Sequence, residues 1–505
     1  MAGIMRLRRL TETFLKPVII ILVLGLVVGL FYAIPRFGNV DTPVFYKGPS
    51  VRVNKVKISD KDFNEVYFRY MQQYGTFFGE DQIKLSTMEY LIGQELVKQE
   101  IEKRKITVSN QEVEDLLAEI KLYNQIDSEE ELEYLIYQTG AGNLKGLKSM
   151  LRDILAEQKL YIALGKEAQL EVDEQAIIDR YEELETSHIL IATNPQVTAE
   201  PLSDQEARKK AQEIYQQLQD GADFAALARE HSDDSSNKEQ GGRLGRVPLT
   251  YFKNAFAAEF VEAALALEVG EYSTPVKTQF GYHLIMVHDK KLAEGEQWEQ
   301  EKEIIRDDLI ANKFLTEKKS EWVQEQRTKH AKIEILDPYL LGYSLAQEGK
   351  WVEASLAFEK ALKDKRYKKE LKTFLALAEV YKELEEYDAA LGVFARIPKD
   401  LQDNFEVEIG KADLYQAKGD RENAKTALAA AEAKAGDDLA LLNQVLAVLK
   451  ETELTAETEA LEAKIADLQE KIRQEQEEFN RRLEEEQKKR EAEQNQEGII
   501  ETPAE

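Results

Sequence analysis

The sequence predicts a multidomain, mainly α chain that carries one small α+β domain inserted within it. Three observations support this. Apolar residues recur at helical spacing from residue 60 to 182 and again from 298 to 450. Two β-rich runs, Ser187-His188-Ile189-Leu190-Ile191 and Phe280-Gly281-Tyr282-His283-Leu284-Ile285-Met286-Val287, bracket a stretch of helix-like pattern. A set of small and apolar positions then repeats at steps of 36 and 34 residues, marked by Ala354, Ala390 and Ala424. With 505 residues, 43% of them hydrophobic, the chain is long enough for several cores.

Taken in order, residues 1–36 read as a cytoplasmic stub and transmembrane anchor. Pro17 to Ile34 holds no charge, which is at the short end of what spans a bilayer. Arg6, Arg8, Arg9 and Lys16 precede it and place the amino terminus in the cytoplasm. The run is long for a signal-peptide core, and no small-x-small cleavage site follows it. The expected location is therefore the cell (inner) membrane, single-pass, with the bulk of the chain periplasmic or extracellular. There is no cysteine, so disulfides, thiol catalysis and a lipidated amino terminus are excluded. The net charge is −28, and residues 1–36 carry five basic groups and one acidic, a net of +4, so the rest stands at −32. A body that acidic argues against nucleic acid as a partner and favours solubility.

Residues 37–184 read as a helical region behind a small hairpin at Val51 to Ser59. Candidate helices cover 60–74, 85–104, 110–123, 129–139, 144–165 and 173–185, with Ser59 and Ser109 as N-caps. Phe63, Tyr67, Phe68, Tyr70, Met71, Tyr74, Phe77 and Phe78 are more aromatic and apolar surface than one helix face needs. They read as core, or as a partly exposed surface that holds unfolded chains.

Residues 185–291 read as the inserted domain, in the order β-α-α-α-β, with helices at 204–219, 223–231 and 256–267. If its two outer strands pair, His188 and His283 lie at comparable strand ends and face each other. The segment resembles a parvulin-type peptidyl-prolyl cis/trans isomerase. The resemblance rests on Ser187-His188-Ile189-Leu190, Asp223 to Ala228, Ser232 to Ser236, Gly241-Gly242-x-Leu244-Gly245, Val269-Gly270-Glu271, Thr274-Pro275-Val276 and Phe280-Gly281-Tyr282-His283. It implies a catalytic set of His188, Asp234, Thr278 and His283. It also implies a proline pocket of Phe256, Phe260, Phe280 and Leu244, no cofactor and no metal. Phe256 falls where the family usually has Met, which keeps an apolar wall and narrows the pocket. The loop Ala192-Thr193-Asn194-Pro195-Gln196 lacks the basic residues of phosphate-selective parvulins. His188, His283 and His288 lack the tight spacing of metal ligands. His231 and His330 read as ordinary surface or helix-end residues.

Residues 292–336 read as a helical return segment: a helix from Trp298 to Lys329 and then Lys332-Ile333-Glu334-Ile335. This is similar to the SurA and PpiD type of extracytoplasmic chaperone, in which an isomerase domain is inserted into a helical module built from both flanks. Residues 337–452 resemble tetratricopeptide repeats stacked as an α-solenoid, with Asp437 to Lys450 as its cap. Residues 453–496 read as a charged helix whose sparse Leu461, Ile465, Leu468, Ile472 and Phe479 fit a short coiled coil able to self-associate, and 497–505 as a disordered tail. The expected function is that of a membrane-anchored foldase acting on X-Pro bonds of unfolded or newly exported polypeptides. The alternative is a non-catalytic chaperone or assembly scaffold that uses a degenerate parvulin domain and the repeats to bind protein.

Overall fold

The computed structural model describes residues 51–124, 126–452 and 454–497. The expected anchor over 17–34 and the tail beyond residue 497 lie outside the described residues. Among the described residues no helix is long and apolar enough to cross a membrane. The chain forms two compact units, one of residues 93–331 and one that joins 51–92 to 332–497.

A hairpin of β1 (Val51–Val53) and β2 (Val56–Lys57) comes first, followed by α1 (Asp60–Tyr74) and α2 (Glu80–Arg104). Ser59 caps α1 through its hydroxyl, which accepts the Asp62 N–H at 3.1 Å. Phe63 and Tyr67 are core residues of α1, whereas Phe77 and Phe78 beyond it are 80% and 55% exposed. Then come α3 (Asn110–Tyr123), α4 (Glu129–Thr139), α5 (Leu144–Glu167) and α6 (Glu174–Tyr181). Ser109 and Ser128 form capping boxes with Glu112 and Glu131, so the starts of α3 and α4 are written locally. Helix α2 starts five residues earlier than expected, at Glu80. Helix α6 stops at Tyr181 rather than Glu185, because Glu183 already pairs as strand.

The inserted domain is built on β3 (Glu183–Ala192), followed by α7 (Asp204–Gln219), α8 (Phe224–His231), β4 (Arg243–Pro248), α9 (Leu249–Ala255), α10 (Ala258–Ala266), β5 (Val276–Thr278) and β6 (Gly281–Lys291). Its sheet is antiparallel in the order β4-β3-β6-β5. Ile189, Ile191 and Leu284 face one way, onto Ala207, Ala211, Ile214, Phe224 and Leu227 of α7 and α8. Leu184 and Ile285 face the other way, onto Phe252, Phe260, Val261 and Ala264 of α9 and α10. Both faces are covered, so the central strands read as continuous apolar runs instead of alternating. Two expectations are corrected here. The glycine turn at Gly241 leads into an edge strand, β4. The helix expected over 256–267 spans Ala258–Ala266, an unexpected helix, α9, precedes it, and Phe256 between the two is extended, with φ −109° and ψ 157°.

After β6 the chain runs through α11 (Gly295–Lys313) and α12 (Lys319–Glu325), each followed by a widened π-type turn, at Phe314–Lys318 and Gln326–His330. The expected unbroken helix from Trp298 to Lys329 is thus interrupted. Ile305 of α11 packs on Ile177 and Tyr181 of α6, and Phe314 stacks on Tyr161 of α5 at 5.8 Å. Then β7 (Ile333–Ile335) pairs with β1, Val51 opposite Ile335 and Val53 opposite Ile333, so both flanks of the insertion meet in one sheet of order β2-β1-β7.

The carboxy-terminal helices are α13 (Pro338–Gln347), α14 (Trp351–Ala361), α15 (Leu371–Glu383), α16 (Tyr387–Ala395), the short α17 (Lys399–Gln402), α18 (Phe405–Lys418), α19 (Arg421–Ala435), α20 (Leu439–Glu451) and α21 (Thr455–Glu497). Ala354, Ala390 and Ala424, the equivalent positions of the three repeats, are all fully buried. Gly342 faces the Phe358 ring, where an added Cβ would come within 2.8 Å. Of the apolar positions expected to form a coiled coil in α21, Leu461 and Ile465 are buried against Phe405, Leu428, Leu442 and Val445, so the first turns of α21 finish the helical stack, whereas Ile472 and Phe479 are exposed.

Candidate active site

Two strands and one loop bring the expected polar residues together. In β3 and β6, His188 stands opposite Ile285 and Leu190 opposite His283, so the two histidines are diagonal neighbours on the face covered by α9 and α10. They lie within their strands rather than at the ends. Their rings stack with centroids 5.5 Å apart and Nδ1 atoms 3.3 Å apart. Phe260 of α10 meets both edge-on, at 5.7 Å and 5.2 Å. His188, His283, Thr278 and Phe260 are each at most 5% exposed.

The loop after α8 is fastened to β3 at several points. Asp233 N–H donates to the Leu190 carbonyl, the Ser232 hydroxyl accepts the Leu190 N–H, and the Asp233 carboxylate accepts the Ala192 N–H. The His188 N–H donates to the Gly242 carbonyl at 2.9 Å. Gly242 has φ +75°, and a Cβ there would stand 2.1 Å from the His188 carbonyl oxygen, so only glycine permits this approach.

These fastenings leave Asp234 beside His188. Its Oδ2 takes the His188 Nε2 contact at 2.8 Å and an Asn237 Nδ2–H at 2.7 Å, and its Oδ1 takes the Ser236 hydroxyl and N–H at 2.6 Å and 3.1 Å. The bond from His188, with the Ser236 donors, holds the carboxyl well below the usual carboxylate range against the opposing effect of burial. Four donors on one ionised carboxylate leave it no free lone pair for attack.

At the other end, Thr278 Oγ accepts the Phe280 N–H at 3.1 Å and lies 2.9 Å from His283 Nε2. Burial, then the neighbouring His188, pushes His283 down to about 3, so its ring is neutral at neutral pH. His188 Nε2 meets the ionised Asp234 carboxylate, the two rings meet Nδ1 to Nδ1, and His283 Nε2 meets Thr278 Oγ, with donor and acceptor at each ring nitrogen set by the tautomer. One continuous set of hydrogen bonds thus links the β5–β6 turn to the loop after α8.

The expected pocket residues divide. Phe256 stacks on Phe260 at 5.1 Å with an interplanar angle of 17°, and on Phe252 at 4.7 Å. Leu244 of β4 packs in the same apolar cluster. Phe280 is 36% exposed and makes no ring contact with Phe256 or Phe260. His288 lies outside this set and bonds Ser187 at 2.7 Å. The sequence reading missed Asn237, 5% exposed and 3.1 Å from His188 Nε2, because it ended the polar loop one residue earlier, at Ser236. Among the described residues no group of three His, Asp or Glu side chains is arranged to hold a metal ion.

Residues 188–289 match the PPIC-type PPIASE domain of the Rotamase family, and residues 4–161 match a SurA-like N-terminal domain. Foldase protein PrsA of Caldanaerobacter subterraneus subsp. tengcongensis is 34% identical over 206 residues, which are 41% of this chain and 56% of that protein. Foldase protein PrsA 4 of Bacillus cereus is 31% identical over 318 residues, 63% of this chain and 94% of that protein. Chaperone SurA of Chromohalobacter salexigens is 38% identical over 141 residues, 28% of this chain and 30% of that protein.

Proposed function

The chain belongs to the PrsA foldase family of parvulin-type peptidyl-prolyl cis/trans isomerases, and from that membership we propose that it is a membrane-anchored foldase acting on X-Pro bonds of unfolded, newly exported polypeptides. The observation that carries this reading is the hydrogen-bonded chain from Asp234 through His188 and His283 to Thr278, closed over by Phe260. Rotation about an X-Pro bond faces a barrier of about 18–20 kcal/mol because resonance stiffens the amide. No covalent bond need break. A twisted amide has lost that resonance and its charge separation, so a dry cavity that presents uncharged imidazole favours it over the planar form. His283, kept neutral by burial, suits that task. Phe256 and Phe260 form the apolar wall for the pyrrolidine ring, with Leu244 behind them and Phe280 at the mouth.

The rest of the chain fits delivery of clients to this site. The uncharged run over 17–34 anchors it, and the basic residues before that run put the body outside the cytoplasm. Tyr70, Tyr74, Phe78, Gln82, Ile83 and Ser86 line a groove of about 260 Å³ next to the exposed Phe77, a surface suited to holding unfolded chain. The helical array from α13 to α20 is a site for a protein partner.

One observation favours the non-catalytic reading: the stacked Phe256 fills space that a Met would leave adaptable. Isomerisation of a short X-Pro peptide by the purified chain, beside His188→Ala, His283→Ala and Asp234→Ala, decides between them. Acceleration that the substitutions weaken supports the enzyme. A folded wild-type chain that suppresses client aggregation and gives no acceleration sinks it in favour of the scaffold.

A further inference from the structure

We propose that Asn237 is a positioning residue of this site, its side-chain amide holding the Asp234 carboxylate on His188 and thereby setting the tautomers of both histidines. The inference rests on the isomerase reading above for its catalytic consequence. Its structural basis stands separately. Asn237 is 5% exposed, and its backbone is fixed by three bonds: its N–H donates to the Asp234 carbonyl, and its own carbonyl accepts the N–H of Gln240 and of Gly242. The side chain therefore has one place to go. Nδ2 lies 2.7 Å from Asp234 Oδ2, 3.1 Å from His188 Nε2 and 3.3 Å from Ser236 Oγ.

The amide can stand only one way round. Turning it over would set Oδ1 against Oδ2 of an ionised carboxylate at the same short distance, two acceptors with no proton between them. As it stands, Oδ1 is buried with no hydrogen-bond partner, a cost accepted for the sake of the N–H groups. Two donors, Asn237 Nδ2–H and His188 Nε2–H, converge on Asp234 Oδ2. Removing the first leaves the half-buried Asp234 carboxylate one donor short beside an imidazole that can turn. A proton shift at His188 would propagate to His283 and Thr278, because the two rings share an Nδ1–Nδ1 contact and His283 Nε2 meets Thr278 Oγ.

The test uses the full chain labelled with 15N-histidine, in which five histidines keep the spectrum readable, together with kinetics on an X-Pro peptide. In the wild type the imidazole nitrogens should report Nε2–H for His188 and Nδ1–H for His283. Asn237→Leu, similar in shape and without donors, should mix these tautomers and lower kcat roughly tenfold, the loss expected when a bond to a charged group goes, with KM little changed. Asn237→Asp sets a second carboxylate against Asp234, so one must take up a proton, and a new inflection should appear in the pH profile. Wild-type tautomers and an unaltered pH profile in both variants would overturn the proposal. A wild type that catalyses nothing while Asn237→Leu still mixes the tautomers would refute the isomerase reading and leave the positioning role standing.

Discussion

At the scale of single residues, the site depends on a His283 imidazole that stays neutral. His283 is pushed down to about 3 from an ordinary 6.5 by burial and by His188. Between those values the unfolded chain binds a proton there that the folded chain does not, so the stability this group contributes is complete above about pH 6.5 and is lost as the pH falls towards 3. His288, lowered by burial and by Arg243, acts in the same sense. Asp234, also lowered, adds its loss only below the ordinary carboxylate range, near pH 4. The urea midpoint of a fragment from Glu182 to Ala293 should therefore fall from pH 7 to pH 4.5, and His283→Gln should flatten that slope while starting from lower stability. Equal slopes in the two fragments would mean that His283 is protonated in the folded state. His188, His283, Asp234 and Thr278 were legible in the sequence because each sits in a short motif whose order along the chain is informative. Asn237 was not, since a lone Asn in a polar loop looks the same whether it only turns the chain or also reaches a carboxylate.

At the scale of elements, periodicity located helices well where caps marked their ends. Ser59, Ser109, Ser128 and Ser203 each stand at a helix start. It failed where a tertiary partner decided. Strand β4 has glycine at Gly245 and charge at Arg243 and Arg246, and it is a strand only because β3 offers it an edge. In α21 the same sparse apolar spacing serves two ends: Leu461 and Ile465 are 1% and 6% exposed inside the helical stack, whereas Ile472 and Phe479 are 50% and 56% exposed. The sequence spacing does not distinguish a seam between chains from a seam within one. Leu461→Ala should cost about 3 kcal/mol, the usual range for a buried leucine, and Ile472→Ala less than about 0.5 kcal/mol. Thermal unfolding of the 338–497 fragment checks this. Similar losses from both substitutions would place the two residues in one buried seam and restore the coiled-coil reading.

At the scale of the whole molecule, the isomerase domain is a detour from a helical chain whose path closes behind it. Glu183 and Lys291 are register partners at the ends of β3 and β6, so the chain enters and leaves the domain side by side. The stem below them keeps its own contacts: Tyr181 meets Trp298 at 5.0 Å, Ile177 packs on Ile305, and Lys291 lies over the Tyr181 ring at 3.9 Å and 4.0 Å from Glu301. None of these requires the sheet beyond. A two-residue Asn-Gly turn joins paired strand residues without strain, so replacing 184–290 by Asn-Gly should leave the helical remainder folded. By circular dichroism that remainder should keep its helix and a cooperative melt. It should still delay aggregation of an unfolded client while losing all X-Pro isomerisation. Loss of cooperative folding on excision would show that the domain supports the helical module as well as being carried by it. Loss of client protection from a folded remainder would instead move the holding surface from the α1–α2 aromatics into the isomerase domain.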